Sequence, residues 1–254
     1  MCIRDSTTAE RASLLAAFRE FLPNESILFE TEDLRPYECD GLSAYRQLPL
    51  IVVLPRDVEE VQRVMQICYR HKTPVVARGT GTGLSGGALP LADGVVLSLA
   101  KLKSILDIDP LNRTARVQTG VRNLAISEAV KPYGLYYAPD PSSQIACTIG
   151  GNIAENSGGV HCLKYGLTVH NVLSLQVVTV EGELITIGAD SLDSPGFDLL
   201  ALMIGSEGML GLVVEVTVKL LPIPERAQVV LAAFDDVEKA GTAVGEIIAC
   251  LLYT

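Results

Sequence analysis

One stretch carries most of the chemistry: Thr73-Pro74-Val75-Val76-Ala77-Arg78 running into Gly79-Thr80-Gly81-Thr82-Gly83-Leu84-Ser85-Gly86-Gly87. A short apolar strand ends in a loop with five glycines. Glycine reaches positive φ at no steric cost and lets backbone N–H groups come close to a ligand. Successive N–H groups turned inward form an anion nest. Thr80, Thr82 and Ser85 add hydroxyl donors. That chemistry suits a phosphate or pyrophosphate, held by charge-assisted hydrogen bonds of ~1.5–3 kcal/mol each. A bare turn between two strands would leave the hydroxyls and Arg78 without a purpose.

Two familiar nucleotide patterns do not apply. Gly81, Gly83 and Gly86 satisfy G-x-G-x-x-G, but that fingerprint needs a helix directly after the loop to receive the pyrophosphate. Here Pro90 and Gly94 follow, then the next apolar run, Val95 to Leu99. Asp107 and Asp109 stand near the place of the ribose acid, and without the helix that spacing is coincidence. No Lys-Ser or Lys-Thr closes the loop, so it is not a Walker motif either.

Composition narrows the class. The 254 residues are 48% hydrophobic with a formal net charge of -10. An acidic surface argues against nucleic acid as a partner. A bound anion must therefore be held locally, by backbone dipoles and a few basic groups. Six cysteines without a C-x-x-C pair read as reduced thiols of a cytoplasmic protein. No apolar run reaches the ~20 residues of a membrane helix, so any link to the inner membrane would be peripheral, through partner subunits. No cluster suggests a metal site in this chain.

The elements that must position the loop follow in order. Met1 to Ser6 and Cys250 to Thr254 resemble translated adapter sequence and are left out of the fold reading. Residues 1–48 read as an N-terminal helix from Thr7 to Leu22, then a polar, extended surface segment from Thr31 to Gln47. Leu50 to Leu54 is a buried strand, Asp57 caps a helix running to about His71, and Thr73 to Arg78 completes a β-α-β unit. Strands follow at Val95 to Leu99, Ser104 to Asp109 and Thr114 to Thr119, with a short helix at Arg122 to Pro132. A Pro- and Ser-rich loop leads to a second glycine cluster, Thr148 to Gly159. A hairpin turns at Glu181-Gly182. Phe197 to Ile204 is a short helix before the third cluster, Gly205 to Gly211, and the strong strand Leu212 to Leu220. Pro222 and Pro224 mark a boundary, so the main domain covers 49–224. A strand at Gln228 to Phe234 and a helix at Asp236 to Ala249 then read as the start of a further domain, 225–254. The fold class is α+β.

Three glycine clusters at element ends suggest one long ligand with an anionic middle and flat ends. Ser142, Ser143, Thr148, Asn152 and Asn156 can bond ribose, phosphate or a heterocycle edge, although singly each suits loop capping. The motifs Arg78 to Gly87, Pro139 to Ser143, Thr148 to Asn152, Glu155 to Gly159, Lys164-Tyr165-Gly166 and Gly205 to Gly208 resemble the FAD-binding domain of the vanillyl-alcohol-oxidase and p-cresol-methylhydroxylase flavoproteins. Within that family the chain is most similar to the branch acting on small 2-hydroxy acids, the glycolate oxidase FAD subunits and D-lactate dehydrogenases.

The resemblance implies two α+β subdomains with FAD between them. Arg78, Gly79, Thr80, Gly81, Thr82, Gly83, Leu84 and Ser85 would cradle the pyrophosphate. Pro139, Asp140, Ser142, Ser143, Thr148, Gly150, Gly151 and Asn152 would line the flavin ring and its phosphate side. Glu155, Asn156, Gly158 and Gly159 would continue that wall, and Gly205, Glu207 and Gly208 would close the adenosine side. Some members attach flavin through a His in the first loop; none stands there, which implies non-covalent FAD. The implied reaction is hydride transfer from a 2-hydroxy acid to flavin, with the catalytic base in a cap domain beyond this chain. A chain ending here is then expected not to turn over alone. His161 is either a polar group near the flavin edge or a loop histidine packed on Tyr165. Cys147 and Cys162 read as buried small hydrophobes, and His170 as structural. The alternatives are an oxidase of another alcohol, or a non-catalytic FAD-binding electron-transfer subunit. Further oxidase subunits or an electron acceptor are expected partners.

Overall fold

Ile51-Val52-Val53 is apolar at every position, as a strand covered on both faces must be. The computed structural model describes residues 3–189, 196–226 and 228–251. In it, β2 (Ile51–Val53) is fully buried. With β1 (Ile27–Leu28), β3 (Val75–Arg78) and β4 (Val95–Ser98) it forms a four-stranded sheet in the order β1-β2-β4-β3. Both β2 and β3 run parallel to β4, which lies between them. The crossover helix α3 (Val58–His71) is capped as expected: the Asp57 carboxylate accepts from the Glu60 N–H at 2.8 Å. No helix stands between Gly79 and Gly94.

Helix α1 (Ile3–Arg19) and α3 cover one face of this sheet. Leu14, Phe18 and Leu22 meet Val61, Val64 and Cys68 over Ile51, Val53, Val95 and Leu97. The other face corrects the sequence reading. Thr31 to Gln47 is not an extended surface segment: it opens with helix α2 (Thr31–Leu34) and a 3-10 turn, Arg35–Tyr37. Leu34 is buried against Val52 and Val96, with Tyr37 and Leu48 alongside. A parallel sheet needs a cover on each face, and these few apolar residues in a polar segment supply it.

The second sheet is antiparallel, in the order β5-β6-β10-β8-β9. Its strands are β5 (Ile105–Asp109), β6 (Thr114–Gln118), β8 (Val172–Val178), β9 (Leu184–Gly188) and β10 (Leu212–Lys219). β10 alternates buried and half-buried along its whole length, the period expected of a strand with one covered face. Helices α4 (Asn123–Val130) and α5 (Ile149–Glu155) cover that face, Ile126, Ile149 and Ile153 packing with Val117, Leu175 and Val216. A short strand, β7 (Leu135–Tyr136), helix α6 (Cys162–Tyr165) and helix α7 (Leu199–Met203) complete this half. The α+β class holds.

Residues to Leu221 form one unit and those from Pro222 a second. In the second unit, Gln228 to Phe234 is not the strand that its apolar run suggests; it carries no regular structure. A lone strand has no ladder to satisfy its backbone. Val229, Val230 and Leu231 are almost fully exposed, and α8 (Val237–Leu251) follows. Met1, Cys2 and residues 252–254, within the segments read as adapter sequence, lie outside the described residues. No helix among the described residues is long and apolar enough to cross a membrane.

Glu60, at the start of α3, ties the helix to the preceding turn. Its carboxylate accepts from the Arg56 backbone N–H at 2.7 Å and from the Arg56 guanidinium. Desolvation alone would raise this carboxyl; the Arg56 bonds outweigh it and leave the pKa below its ordinary 4.5. A depressed folded pKa contributes stability above the unfolded value and loses it as pH falls through the folded one. Glu60→Gln should therefore cost about 1 kcal/mol near pH 7, a gap that closes below pH 4. Urea melts at the two pH values check this; a gap that persists in acid would refute the ionic account.

Candidate functional site

The glycine loop leaves β3 at Arg78, and Arg78 is already committed. It is buried. Its Nη1 donates to the Cys39 carbonyl at 2.7 Å and more weakly to that of Ala88 at 3.4 Å. Its guanidinium lies 5.6 Å from the Tyr37 ring centre. Burial lowers its pKa, but a guanidinium stays charged in proteins. Beyond it, the backbone N–H groups of Thr80 to Ser85 donate to no protein acceptor among the described residues. They form a run of open donors. Gly81 has φ +71°, and a side chain there would strike the Arg78 guanidinium. Gly83 differs: its nearest neighbour would be Glu155 Oε1 at an ordinary 3.5 Å.

The facing wall is the start of α5. Thr148 caps it, its hydroxyl accepting from the Gly151 N–H at 3.4 Å. Ile149 and Gly150 donate to the Val121 and Thr119 carbonyls at 2.8 and 2.9 Å, which docks the turn onto the end of β6. Gly150 sits so close to Thr119 that a Cβ would lie 2.7 Å from the threonine Cβ. Asn152 is buried and donates to Asn123 Oδ1 at 3.0 Å; Asn123 donates in turn to the Pro139 carbonyl at 2.9 Å. Asn152 thus holds the Pro139 loop in place. Asn156 ends α5 at φ +50° and accepts from the Val169 N–H at 3.0 Å. The third cluster is tied to the same helix, Gly205 and Glu207 donating to the Ile153 and Ala154 carbonyls at 2.8 and 2.9 Å.

These walls enclose a cavity of about 340 Å³. Of the residues expected from the sequence, Arg78 to Leu84, Ser143, Thr148, Gly150 to Asn152, Glu155, Glu207 and Gly208 line it. Ser85, Pro139, Asp140, Ser142, Asn156, Gly158, Gly159 and Gly205 are not in the lining. Ser85 sits at the rim, donating to Glu155 Oε1 at 2.7 Å. Asp40 and Thr119 line the cavity and were missed. Thr119 lacked any signal beyond the end of a strand, and Asp40 lay in the misread polar segment. Arg78 is the one cation of the lining, against Asp40, Glu155 and Glu207.

His161 lies outside the lining. Its Nδ1 is 2.7 Å from Asp140 Oδ2, its backbone N–H reaches Asp140 Oδ1 at 3.3 Å, and its ring stands 6.4 Å from that of Tyr165. Tyr136 meets Tyr165 edge-on at 6.2 Å. Burial first, then the Tyr165 hydroxyl, pushes the Tyr136 phenol up. Cys147 is buried and Cys162 half-buried, both free. No group of three His, Cys, Asp or Glu among the described residues is placed to hold a metal.

Open backbone donors in a cavity with glycine walls suit this site to an anionic ligand. The family model for an FAD binding domain matches residues 49–188, more than half of the chain, and the chain belongs to that family. FAD is the cofactor this domain binds, and the open N–H run fits its pyrophosphate. Glycolate oxidase subunit GlcD of Escherichia coli (strain K12) is 66% identical over 240 residues, covering 94% of this chain and 48% of that protein. D-lactate dehydrogenase of Anaerostipes hadrus is 36% identical over 227 residues, covering 89% and 47%. The chain spans about half the length of the curated relatives it matches. Among solved structures, alkyldihydroxyacetonephosphate synthase superposes with a TM-score of 0.76 at 22% identity, over 85% of this chain and 41% of that one; this likeness speaks to the fold alone.

The glycines divide into two kinds. Gly150→Ala must push Thr119 and should cost about 1–3 kcal/mol. Gly83→Ala has room and should leave stability within about 0.5 kcal/mol. Thermal melts of the flavin-free variants check the pair; equal losses would refute the distinction.

Proposed function

We propose that this chain is the FAD-bearing part of an enzyme that oxidises a small 2-hydroxy acid, glycolate or D-lactate, to the 2-keto acid. The observation that carries the reading is the run of open N–H groups from Thr80 to Ser85, in a chain whose relatives are named for those substrates. These amides would hold the pyrophosphate of FAD. Thr148, Gly150, Gly151 and the Ser143 side of the cavity would hold the flavin end, and Glu207-Gly208 the adenosine end. Ser85 and Glu155, hydrogen-bonded across the rim, would narrow the mouth beside the phosphates. No His stands in the loop from Gly79 to Gly87, so the cofactor is held without a covalent bond there. When bound, FAD supplies the hydride acceptor for the substrate α-carbon. The groups that bind the substrate carboxylate and take its hydroxyl proton come from the remaining half of the length seen in the relatives.

The relative's name, a subunit, supports an assembly with further subunits that take the electrons onward. The reading places the protein in the cytoplasm, with any membrane association made through those subunits.

Three measurements test this. Acid precipitation should release all flavin to the supernatant, and Gly83→Val should lower FAD affinity at least tenfold; a yellow pellet overturns non-covalent binding, and unchanged affinity overturns the cradle. Anaerobic mixing with glycolate or D-lactate should bleach the flavin of the full-length protein and leave that of the 254-residue chain oxidised. A full-length protein reduced by neither acid overturns the substrate class. Bleaching by the 254-residue chain overturns the division of labour.

A further inference from the structure

We propose that the segment from Tyr37 to Gly41 is a positioning strap for the cofactor loop, with Asp40 as its central residue. This stretch lies ahead of residues 49–188, the part matched by the family model. The inference rests on FAD binding and not on the choice of substrate.

The loop cannot hold its own shape. Its amides from Thr80 to Ser85 have no protein partner among the described residues, so no ladder or helix fixes them. Apart from the Ser85 hydroxyl on Glu155 at the rim, what fixes the loop comes from the strap. Gly41 donates its N–H to the Gly83 carbonyl at 2.9 Å. Asp40 Oδ2 accepts from the Gly86 N–H at 2.9 Å, and Oδ1 from the Leu42 N–H at 2.8 Å. At the loop's entrance Arg78 donates to the Cys39 carbonyl and lies over Tyr37. The two backbones touch: a Cβ on Gly41 would lie 2.7 Å from the Gly83 carbonyl oxygen and 3.0 Å from that of Thr82.

Asp40 is otherwise paradoxical. A buried carboxylate in the wall of an anion cavity opposes the ligand's charge. Its burial is explained by its partners. Each oxygen takes one backbone N–H, and Arg78 is close enough to feel its charge. One of those donors, Gly86, sits just past the open run. With Gly83 O and Gly86 N both pinned by the strap, the amides from Thr80 to Leu84, on residues that line the cavity, are left without a protein partner. Asp40 therefore acts through the loop: it pays no direct attraction to FAD but sets where the donors stand before FAD arrives, which is preorganisation.

The test is FAD titration of the flavin-free protein by quenching of flavin fluorescence. Asp40→Ala should raise the FAD Kd at least tenfold. Asp40→Asn keeps one acceptor oxygen and should fall between Ala and wild type. Arg46→Gln, which breaks the exposed Arg46–Glu38 pair and the long 3.5 Å bond from Arg46 Nε to the Ser43 carbonyl on the same segment, should stay within twofold of wild type. Amide hydrogen exchange of flavin-free Asp40→Asn should quicken at Gly41, Leu42 and Gly86, the bonded amides that join strap to loop, and stay unchanged in β2 and β4. An Asp40→Ala protein with wild-type Kd overturns the proposal. So does exchange that quickens equally in loop and strands, since that marks general destabilisation. If Asp40→Ala does not fold, the Asn variant decides by the same two readouts.

Discussion

The structure turns on the problem of holding a doubly charged pyrophosphate in a protein of net charge -10. The cavity lining offers one cation, Arg78, buried with its Nη1 bound to the Cys39 carbonyl. Three carboxylates share the same walls. Point charges therefore cannot supply the attraction. Backbone dipoles must, and a fixed N–H aimed at an anion is worth ~1.5–3 kcal/mol. Dipoles act at short range, so the backbone has to come within hydrogen-bond reach of the ligand. That requirement accounts for an open, glycine-rich loop that leaves its amides unpaired.

Unpaired amides cost order elsewhere. A loop without a ladder is held by what surrounds it, and here that is the end of β3, the cap of α5 and the strap over the sheet's second face. The parallel sheet needs a cover on that face. Residues 31–48 provide it through Leu34, Tyr37 and Leu48, and the same segment then runs on to the loop at Asp40 and Gly41. One stretch thus closes the core and presses on the site, so the covering of the sheet and the shaping of the loop are coupled by chain connectivity.

The strands and long helices were legible because their periods are strong. Leu50 to Leu54, the Asp57 cap and the alternation from Leu212 onward each point one way, and the structure follows them. The loop glycines were legible because of their density. Two kinds of feature were not. Residues 31–47 are polar in composition, and three apolar anchors spaced across a mixed α, 3-10 and irregular path carry no period to detect. Gln228 to Phe234 has the composition of a strand, but pairing is a property of two segments, and composition reports only one.

The second glycine cluster shows why a motif is not a list of ligand contacts. Gly150 is there because Thr119 leaves no room for a Cβ, and Asn152 because Asn123 needs a partner to hold Pro139. Asn156 turns the chain out of α5 at positive φ. These residues recognise protein. In the first cluster, Gly81 yields to the Arg78 guanidinium and its own φ, whereas Gly83 faces only the tip of Glu155. Gly83 thus owes its identity to nothing the chain itself demands. A residue that is glycine where a side chain would fit is explained by what occupies the space outside the protein, and Gly83 shares that freedom with Gly87 and Gly151, where an added Cβ would meet nothing nearer than 3.4 and 3.6 Å, so the room these three leave open belongs to the cavity itself.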